Sequence, residues 1–144
     1  GEVVGDCVLY FRTRIPKKVS LDYNGLAMAP VMVMMNAALF EWVVENLLKN
    51  ALDALQGVGD ISVTISESDE WAHIDVKDTG KGIAKNNWKK IFEPGFTTKT
   101  RGWGLGLSLS KRIIEEYHGG HIAVIDSELG KGTTIRISVR KSEE

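Results

Sequence analysis

The 144-residue sequence has little cysteine and no excess of charge of either sign. Its single cysteine, Cys7, cannot form an internal disulfide, which favours a reducing compartment such as the cytoplasm. The 18 basic and 19 acidic residues give a formal net charge of −1, so the charge does not predict a nucleic-acid partner. Hydrophobic residues make up 43% and charged residues 26% of the chain, which is typical of a globular domain and argues against disorder.

Long hydrophobic runs are also absent. The longest apolar stretch, residues 26–44, is interrupted by Pro30, Asn36 and Glu41, whereas a membrane-spanning helix needs about 20 mostly apolar residues in succession. The first residues lack the basic, apolar and small-residue pattern of a signal peptide. We therefore expect a soluble fragment without direct membrane contact. A membrane anchor elsewhere in a longer parent protein is compatible with this expectation.

The hydrophobic pattern predicts strands and helices that alternate within one domain. Residues 1–35 are predicted to be leading strands or linker, with a β-prone run at 8–11 and a strand at 19–23. Asn36 is a predicted N-cap for a helix over 37–55, in which apolar residues recur at steps of three and four.

The rest of the chain alternates between apolar and polar residues, as half-buried strands do. Such strands are predicted at 61–65, 72–76, 121–125 and 134–139, with one helical turn around 88–92. A second helix is predicted over 105–117, with residues 118–120 as its C-terminal cap. Since the helices come between hairpins, the sequence predicts an α+β fold, a two-layer sandwich with helices on one face of a mixed sheet.

Two asparagines interrupt the apolar face of the helix predicted over 37–55. Asn46 and Asn50 are four residues apart, so they are neighbours on one helix face, with about 5–6 Å between their Cβ atoms. Their amides can simply hydrogen-bond to backbone or water at the helix edge. Alternatively, their oxygens can point towards Mg²⁺, which prefers a few protein oxygens together with water and phosphate. The two residues alone leave both interpretations open.

A glycine-containing motif follows the strand predicted over 72–76. It consists of Asp78, Thr79, Gly80, Lys81, Gly82 and Ile83. The glycines permit a tight turn and the close approach of a ligand, and the Asp78 carboxylate can accept a hydrogen bond from an amino group such as that of adenine. An Asx turn at the strand end is the alternative interpretation of the same residues.

A longer glycine-rich segment leads into the second helix. Its candidate ligand-binding residues are Phe92, Thr97, Thr98, Lys99, Gly102, Trp103, Gly104, Leu105, Gly106 and Leu107. Backbone N–H groups at a helix start can bind phosphate, and the threonines and Lys99 would add hydroxyl donors and a positive charge. The spacing matches neither a dinucleotide-binding loop nor a P-loop. A flexible loop that caps the helix is the alternative for any single glycine.

In this order the motifs resemble those of the ATP-binding domain of sensor histidine kinases, within the superfamily that includes gyrase, heat-shock chaperone and mismatch-repair ATPases. The asparagines resemble the N box, the Asp78 motif the first glycine box, residues 92–96 the F box, 102–106 the second glycine box and 130–133 the last. The resemblance implies a single Bergerat-type domain over 1–144 with its motifs in 36–140. It also implies ATP and Mg²⁺ as ligands and a mobile lid over about 85–103.

The resemblance also implies roles for individual residues. Asn50 would hold Mg²⁺, Asp78 would bind the adenine amino group, and Thr133 would support the adenine through water. The remaining motif residues named above, including Asn46, would complete the nucleotide site. Asp53 belongs to this predicted set as a departure from the pattern, because many family members carry a basic residue there. Phosphate neutralisation is then left to Lys99, with Arg101 or Lys49 as further candidates.

A second departure from the family pattern bears on catalysis. Gyrase-like ATPases carry a water-activating glutamate at the position of Asn46, and asparagine cannot accept a proton at neutral pH. His73, His118 and His121 lack the Glu or Asp that follows a phosphoacceptor histidine. No catalytic side chain is therefore predicted in this chain, and a structural role is predicted for each histidine.

The resulting prediction is the catalytic domain of a two-component sensor histidine kinase. It would transfer the ATP γ-phosphate to a histidine on a separate dimerisation domain that is missing from this fragment, with a response regulator downstream. Two alternatives remain open: a serine kinase of the anti-sigma-factor type, and a non-catalytic nucleotide-sensing module.

Overall fold

The computed structural model describes residues 2–12, 19–24, 37–93, 104–117 and 119–140. Within these ranges the helices are α1 (Glu2–Arg12), α2 (Ala37–Leu55) and α3 (Gly104–Arg112). The strands are β1 (Val19–Asn24), β2 (Gly59–Glu67), β3 (Trp71–Asp78), β4 (His121–Glu128) and β5 (Gly132–Arg140). Two short 3₁₀ turns, Lys85–Asn87 and Lys90–Phe92, follow β3, and α3 continues into a π-helical segment, Ile113–Tyr117.

The five strands form one mixed sheet in the order β1-β2-β3-β5-β4. β1 and β2 are parallel, and the other neighbouring pairs are antiparallel. One row of register partners crosses all five strands and consists of Leu21, Ile61, Asp78, Thr133 and Ser127. Leu21 and Ile61 are buried apolar residues, so the row changes from apolar to polar at Asp78. The register thereby places two buried polar side chains side by side.

The core lies between the sheet and the helices. α2 buries the apolar side chains that recur at helical spacing, namely Phe40, Val43, Val44, Leu47, Leu48, Ala51 and Leu55. They pack in one cluster with residues of all five strands and with Ile113 and Ile114. The predicted α+β sandwich is confirmed, and so are the helix over 37–55 and the strands around 19–23, 61–65, 72–76, 121–125 and 134–139.

The prediction for the first residues is wrong, because residues 2–12 form the helix α1 and not extended strand or linker. Val4, Cys7 and Val8 are spaced three and four residues apart and are all buried in the core, on the side where α1 contacts α2. The β-prone run at 8–11 misled the prediction, since strand propensity yields to a buried face with helical spacing. Burial of Cys7, together with Glu45 and Glu41, raises the pKa of its thiol to about 12.

The second predicted helix is present, although its last part differs from a regular α-helix. It begins at Gly104, and residues 113–117 are π-helical. The Gly120 N–H bonds to the Ile114 carbonyl oxygen at 2.9 Å, and Gly119 has a φ of +60°, so glycines follow the helix as expected. The predicted N-cap Asn36 and the cap residue His118 lie outside the described residues. Within the described ranges, no helix combines the length and the apolar character that crossing a bilayer requires.

Candidate nucleotide site

A cavity of about 320 Å³ lies between α2, the end of β3 and the β4–β5 hairpin. This volume is within the range of small-molecule sites, roughly 300–1,000 Å³. Six residues predicted from the sequence line it: Asn50, Asp78, Gly82, Ile83, Leu107 and Thr133. Ten further lining residues were not predicted: Leu47, Ala51, Ala54, Val76, Lys81, Ala84, Asn87, Ile91, Leu129 and Ile135. Most of the wall is apolar, with a few polar groups that can orient a ligand.

Asp78 is the last residue of β3 and is only 7% exposed. Its Oδ1 accepts a hydrogen bond from the Gly80 N–H at 2.8 Å, which is the Asx turn that the motif also suggested. The two interpretations of the motif are therefore compatible, since the same carboxylate also lines the cavity. A buried carboxylate is costly unless polar groups contact it, so this position favours a hydrogen-bonding role.

Glycines of the first and last glycine boxes bring backbone segments together. A Cβ on Gly80 would meet the Ala54 carbonyl at 2.6 Å, and a Cβ on Gly82 would overlap the Glu128 carbonyl. A Cβ on Gly132 would overlap the Asp78 carbonyl oxygen. Gly80 and Gly82 were predicted to let a ligand approach closely, and Gly132 was predicted only as part of the last glycine box. In the structure, a Cβ on Gly80 would meet α2, one on Gly82 would meet the β4–β5 turn, and one on Gly132 would meet β3. The three glycines therefore allow these backbone segments to pack closely around the cavity.

The N-box asparagines occupy different environments. The Asn50 amide nitrogen donates to the Asn46 carbonyl oxygen at 2.9 Å, and Asn50 lines the cavity. Asn46 is 6% exposed, and its amide nitrogen donates to Ser110 Oγ at 3.2 Å. Ser110 in turn donates to the Gly106 carbonyl oxygen at 2.8 Å, and a Cβ on Gly106 would meet the Asn46 amide. Asn46 thus joins α2 to the first turns of α3 and is not among the described lining residues.

Several other predicted residues are not among the described residues that line the cavity. Asp53 is exposed near the end of α2, and Phe92 is buried in the core while its neighbour Ile91 lines the cavity. Gly104 and Leu105 lie in the first turn of α3, which borders the cavity through Leu107. The predicted residues Thr97, Thr98, Lys99, Gly102 and Trp103 lie outside the described residues, as do Arg101 and the rest of the predicted lid from 94 to 103.

Two lysines, Lys49 and Lys81, differ in their surroundings. Lys49, a candidate for phosphate neutralisation, forms an ion pair with Glu45 at 3.3 Å, one helical turn earlier on α2. Lys81 lines the cavity although it was not among the residues predicted to bind a ligand. Its place between Gly80 and Gly82 was the signal that could have identified it.

Trp88 supports the cavity wall at Ile83, because its indole N–H donates to the Ile83 carbonyl oxygen at 3.0 Å.

The described histidines have structural partners. His73 lies on β3, with its Nδ1 at 2.8 Å from Ser138 Oγ and its Nε2 at 3.3 Å from Ser68 Oγ. Burial first and Arg136 second lower the pKa of His73. The His121 ring lies beside the Trp71 ring at a centroid distance of 5.3 Å. Among the described residues, no three His, Cys, Asp or Glu side chains group as a metal site.

Comparison with known proteins gives matches over the whole motif-bearing region. The family model of histidine kinase-, DNA gyrase B- and HSP90-like ATPases matches residues 35–143. The sensor histidine kinase ZraS of Escherichia coli strain K12 is 48% identical over 95 residues, which are 66% of this chain and 20% of that relative. This chain therefore spans about a fifth of the length of such a curated relative.

Solved structures agree with the fold. The catalytic domain of histidine kinase ThkA in a nucleotide-free form gives a TM-score of 0.86 at 30% identity, covering 97% of this chain and 91% of that one. Histidine kinase ThkA in complex with the response regulator protein TrrA gives a TM-score of 0.83 at 27% identity, covering 98% of this chain and 40% of that one. The likeness includes α1 and β1, which precede the region of the family match.

Proposed function

Because this chain belongs to the family of histidine kinase-, DNA gyrase B- and HSP90-like ATPases, we propose that it is the ATP-binding catalytic domain of a two-component sensor histidine kinase. In this role it transfers the γ-phosphate of ATP to a histidine on a separate dimerisation domain. The observation that carries the proposal is the cavity, which combines the Asp78 carboxylate, the Thr133 hydroxyl and the Asn50 amide within a largely apolar wall.

Adenine recognition follows from the wall of this cavity. Apolar side chains such as Ile83 and Ile135 suit the flat faces of a base, and the Asp78 carboxylate can accept a hydrogen bond from its amino group. α3 begins at Gly104 and borders the cavity through Leu107. Its N-terminal N–H groups and the positive end of its dipole favour the phosphates.

Asn50 is the residue that would hold Mg²⁺. Its amide nitrogen bonds to the Asn46 carbonyl oxygen, so the amide oxygen is the atom of this side chain that can coordinate a cation. A single protein oxygen fits Mg²⁺, which usually takes its other ligands from water and phosphates. When bound, Mg²⁺ supplies positive charge that stabilises the phosphates during transfer.

Phosphoryl transfer to a protein side chain fits this site better than hydrolysis. Among the described residues that line the cavity, Asp78 is the only carboxylate. Asn46, at the position of the water-activating glutamate of gyrase-like ATPases, is bonded to Ser110. Glu45 is paired with Lys49. The chain therefore positions the nucleotide, and the proposed dimerisation domain supplies the nucleophile.

The proposal extends to the surroundings of the domain. A histidine kinase passes its phosphoryl group to a response regulator, and the complex of ThkA with TrrA supports such a partner for this chain. The domain then acts in the cytoplasm, where ATP is available.

The test combines this chain with γ-labelled ATP, Mg²⁺ and a separately produced dimerisation domain of the same longer protein. We expect label on the dimerisation domain only when both polypeptides are present, and we expect it to be lost in acid, because phosphohistidine is acid-labile. The matched control is a dimerisation domain with its acceptor histidine changed to glutamine. Acid-stable label would instead indicate a serine kinase, and rapid ATP turnover by this chain alone would indicate an ATPase.

A further inference from the structure

Ser127 connects two walls of the cavity and carries no role in the function proposed above. It lies near the end of β4, opposite Thr133 on β5. Its Oγ lies 2.7 Å from the Ile83 backbone nitrogen, 3.0 Å from the Gly132 carbonyl oxygen and 2.8 Å from Thr133 Oγ1. The described residues that line the cavity include Ile83 and Thr133 but not Ser127. Ser127 therefore contacts two residues of the cavity wall without being among the described lining residues itself.

The three contacts determine which hydroxyl donates. A serine hydroxyl has one hydrogen to donate and two lone pairs to accept. The Ile83 N–H can only donate to Ser127, and the Gly132 carbonyl oxygen can only accept from it. Since the single Ser127 hydrogen is then used, the Thr133 hydroxyl must donate its hydrogen to Ser127. Thr133 Oγ1 is left with lone pairs alone for any ligand in the cavity.

We propose that Ser127 is a specificity-determining positioning residue, which makes Thr133 an acceptor and thereby selects a purine with an amino group at position 6 over one with a carbonyl oxygen there. Thr133 and Asp78 are register partners on adjacent strands, so the cavity presents two neighbouring acceptors to the base. An amino group can donate to such acceptors, whereas a carbonyl oxygen would face them without a hydrogen. This inference rests on the proposed nucleotide site and concerns the choice of base.

Competition between ATP and inosine triphosphate, which carries a 6-oxo base, tests the inference in the 144-residue chain. We expect the unaltered chain to bind ATP more tightly by calorimetry. Ser127→Ala frees the Thr133 hydrogen to point into the cavity and should reduce the ratio of the two affinities about three- to tenfold. Ser127→Thr retains a hydroxyl and should retain the ratio. Ser62→Ala, the same change on β2 away from the cavity, should leave both affinities unchanged.

Testing Ser127→Ala in a chain that already carries Thr133→Val shows whether Ser127 acts by orienting the Thr133 hydroxyl or only by supporting the cavity wall. In Thr133→Val the hydroxyl is absent, so the ratio should already be reduced and adding Ser127→Ala should not alter it further. If Ser127→Ala does not fold, an unreduced ratio in Thr133→Val overturns the inference by itself. Equal weakening of both nucleotides by Ser127→Ala also overturns it, as does equal binding of both by the unaltered chain. Binding of neither nucleotide would contradict the proposed function instead.

Discussion

At the scale of the single residue, the position of Asp78 matters more than its charge. Asp75 lies on the same strand, three residues earlier, and pairs with Arg136 through hydrogen bonds of 2.7 and 2.9 Å. Asp78 is 7% exposed and lines the cavity. Two carboxylates of one strand thus have different surroundings, because odd and even positions of a strand face opposite sides of the sheet. A substitution of Asp75 can therefore serve as the control for the same substitution of Asp78.

We expect Asp78→Asn to weaken ATP binding about ten- to a hundredfold. The reason is that a hydrogen bond to a charged acceptor contributes roughly 1.5–3 kcal/mol, and an amide replaces one acceptor oxygen with a donor. Calorimetry measures the change. Asp75→Asn removes the same charge from the other face of the sheet and should leave ATP affinity within about twofold. Unchanged affinity in Asp78→Asn would rule out its contact with the base.

At the scale of the element, local periodicity accounts for what could be predicted. α2 and the five strands follow from spacings of three to four or of two residues, because each element has one buried face. The helix α1 could not be predicted from propensity, since its valines favour strands and only packing against α2 decides its form. The predicted roles of the glycines were incomplete for a similar reason, because the sequence did not show which backbone segments pack against them. The sequence marks a flexible backbone position, while the fold determines what approaches it.

Two glycines of the β4–β5 turn separate backbone conformation from packing. Gly130 has a φ of +80°, and a Cβ added there would have nothing within 4 Å. Gly132 has a φ of +130°, and its Cβ would overlap the Asp78 carbonyl oxygen. We expect Gly130→Ala to reduce the free energy of unfolding by about 1–2 kcal/mol, the cost of a left-handed alanine. Gly132→Ala should cost at least about 2 kcal/mol more, since β5 must move away from β3.

Urea unfolding measures the free energy of unfolding of both variants. Calorimetry then compares their affinities for ATP. Only Gly132→Ala should weaken ATP binding, because only there would the strand that carries Thr133 shift relative to Asp78. Equal destabilisation by the two alanines would show that the positive φ accounts for both glycines and that the close approach of β3 to Gly132 adds nothing.

At the scale of the whole molecule, the cavity joins segments that are far apart in the sequence. Its described walls come from α2, β3, the 3₁₀ turns, α3 and the β4–β5 hairpin. The sequence identified the motifs within these segments, and Asn50, Asp78 and Thr133 do meet at one cavity. The contacts of Ser127 and Ser110 could not be predicted, because each joins residues that only the register or helix packing brings together.

A ligand that contacts all these segments should stabilise the complete fold. At an ATP concentration about one hundred times its Kd, binding to the folded chain contributes about 2.7 kcal/mol. For a chain of this size that corresponds to a rise of roughly 5–10 °C in Tm, measurable by differential scanning calorimetry. The proposed role of Asn50 adds a dependence on the metal. With Mg²⁺ present, Asn50→Ala should lose much of the ATP-induced rise, whereas in EDTA the variant and the unaltered chain should show the same smaller rise. An equal loss with and without Mg²⁺ would assign Asn50 to the nucleotide itself and would contradict its proposed role as the metal ligand.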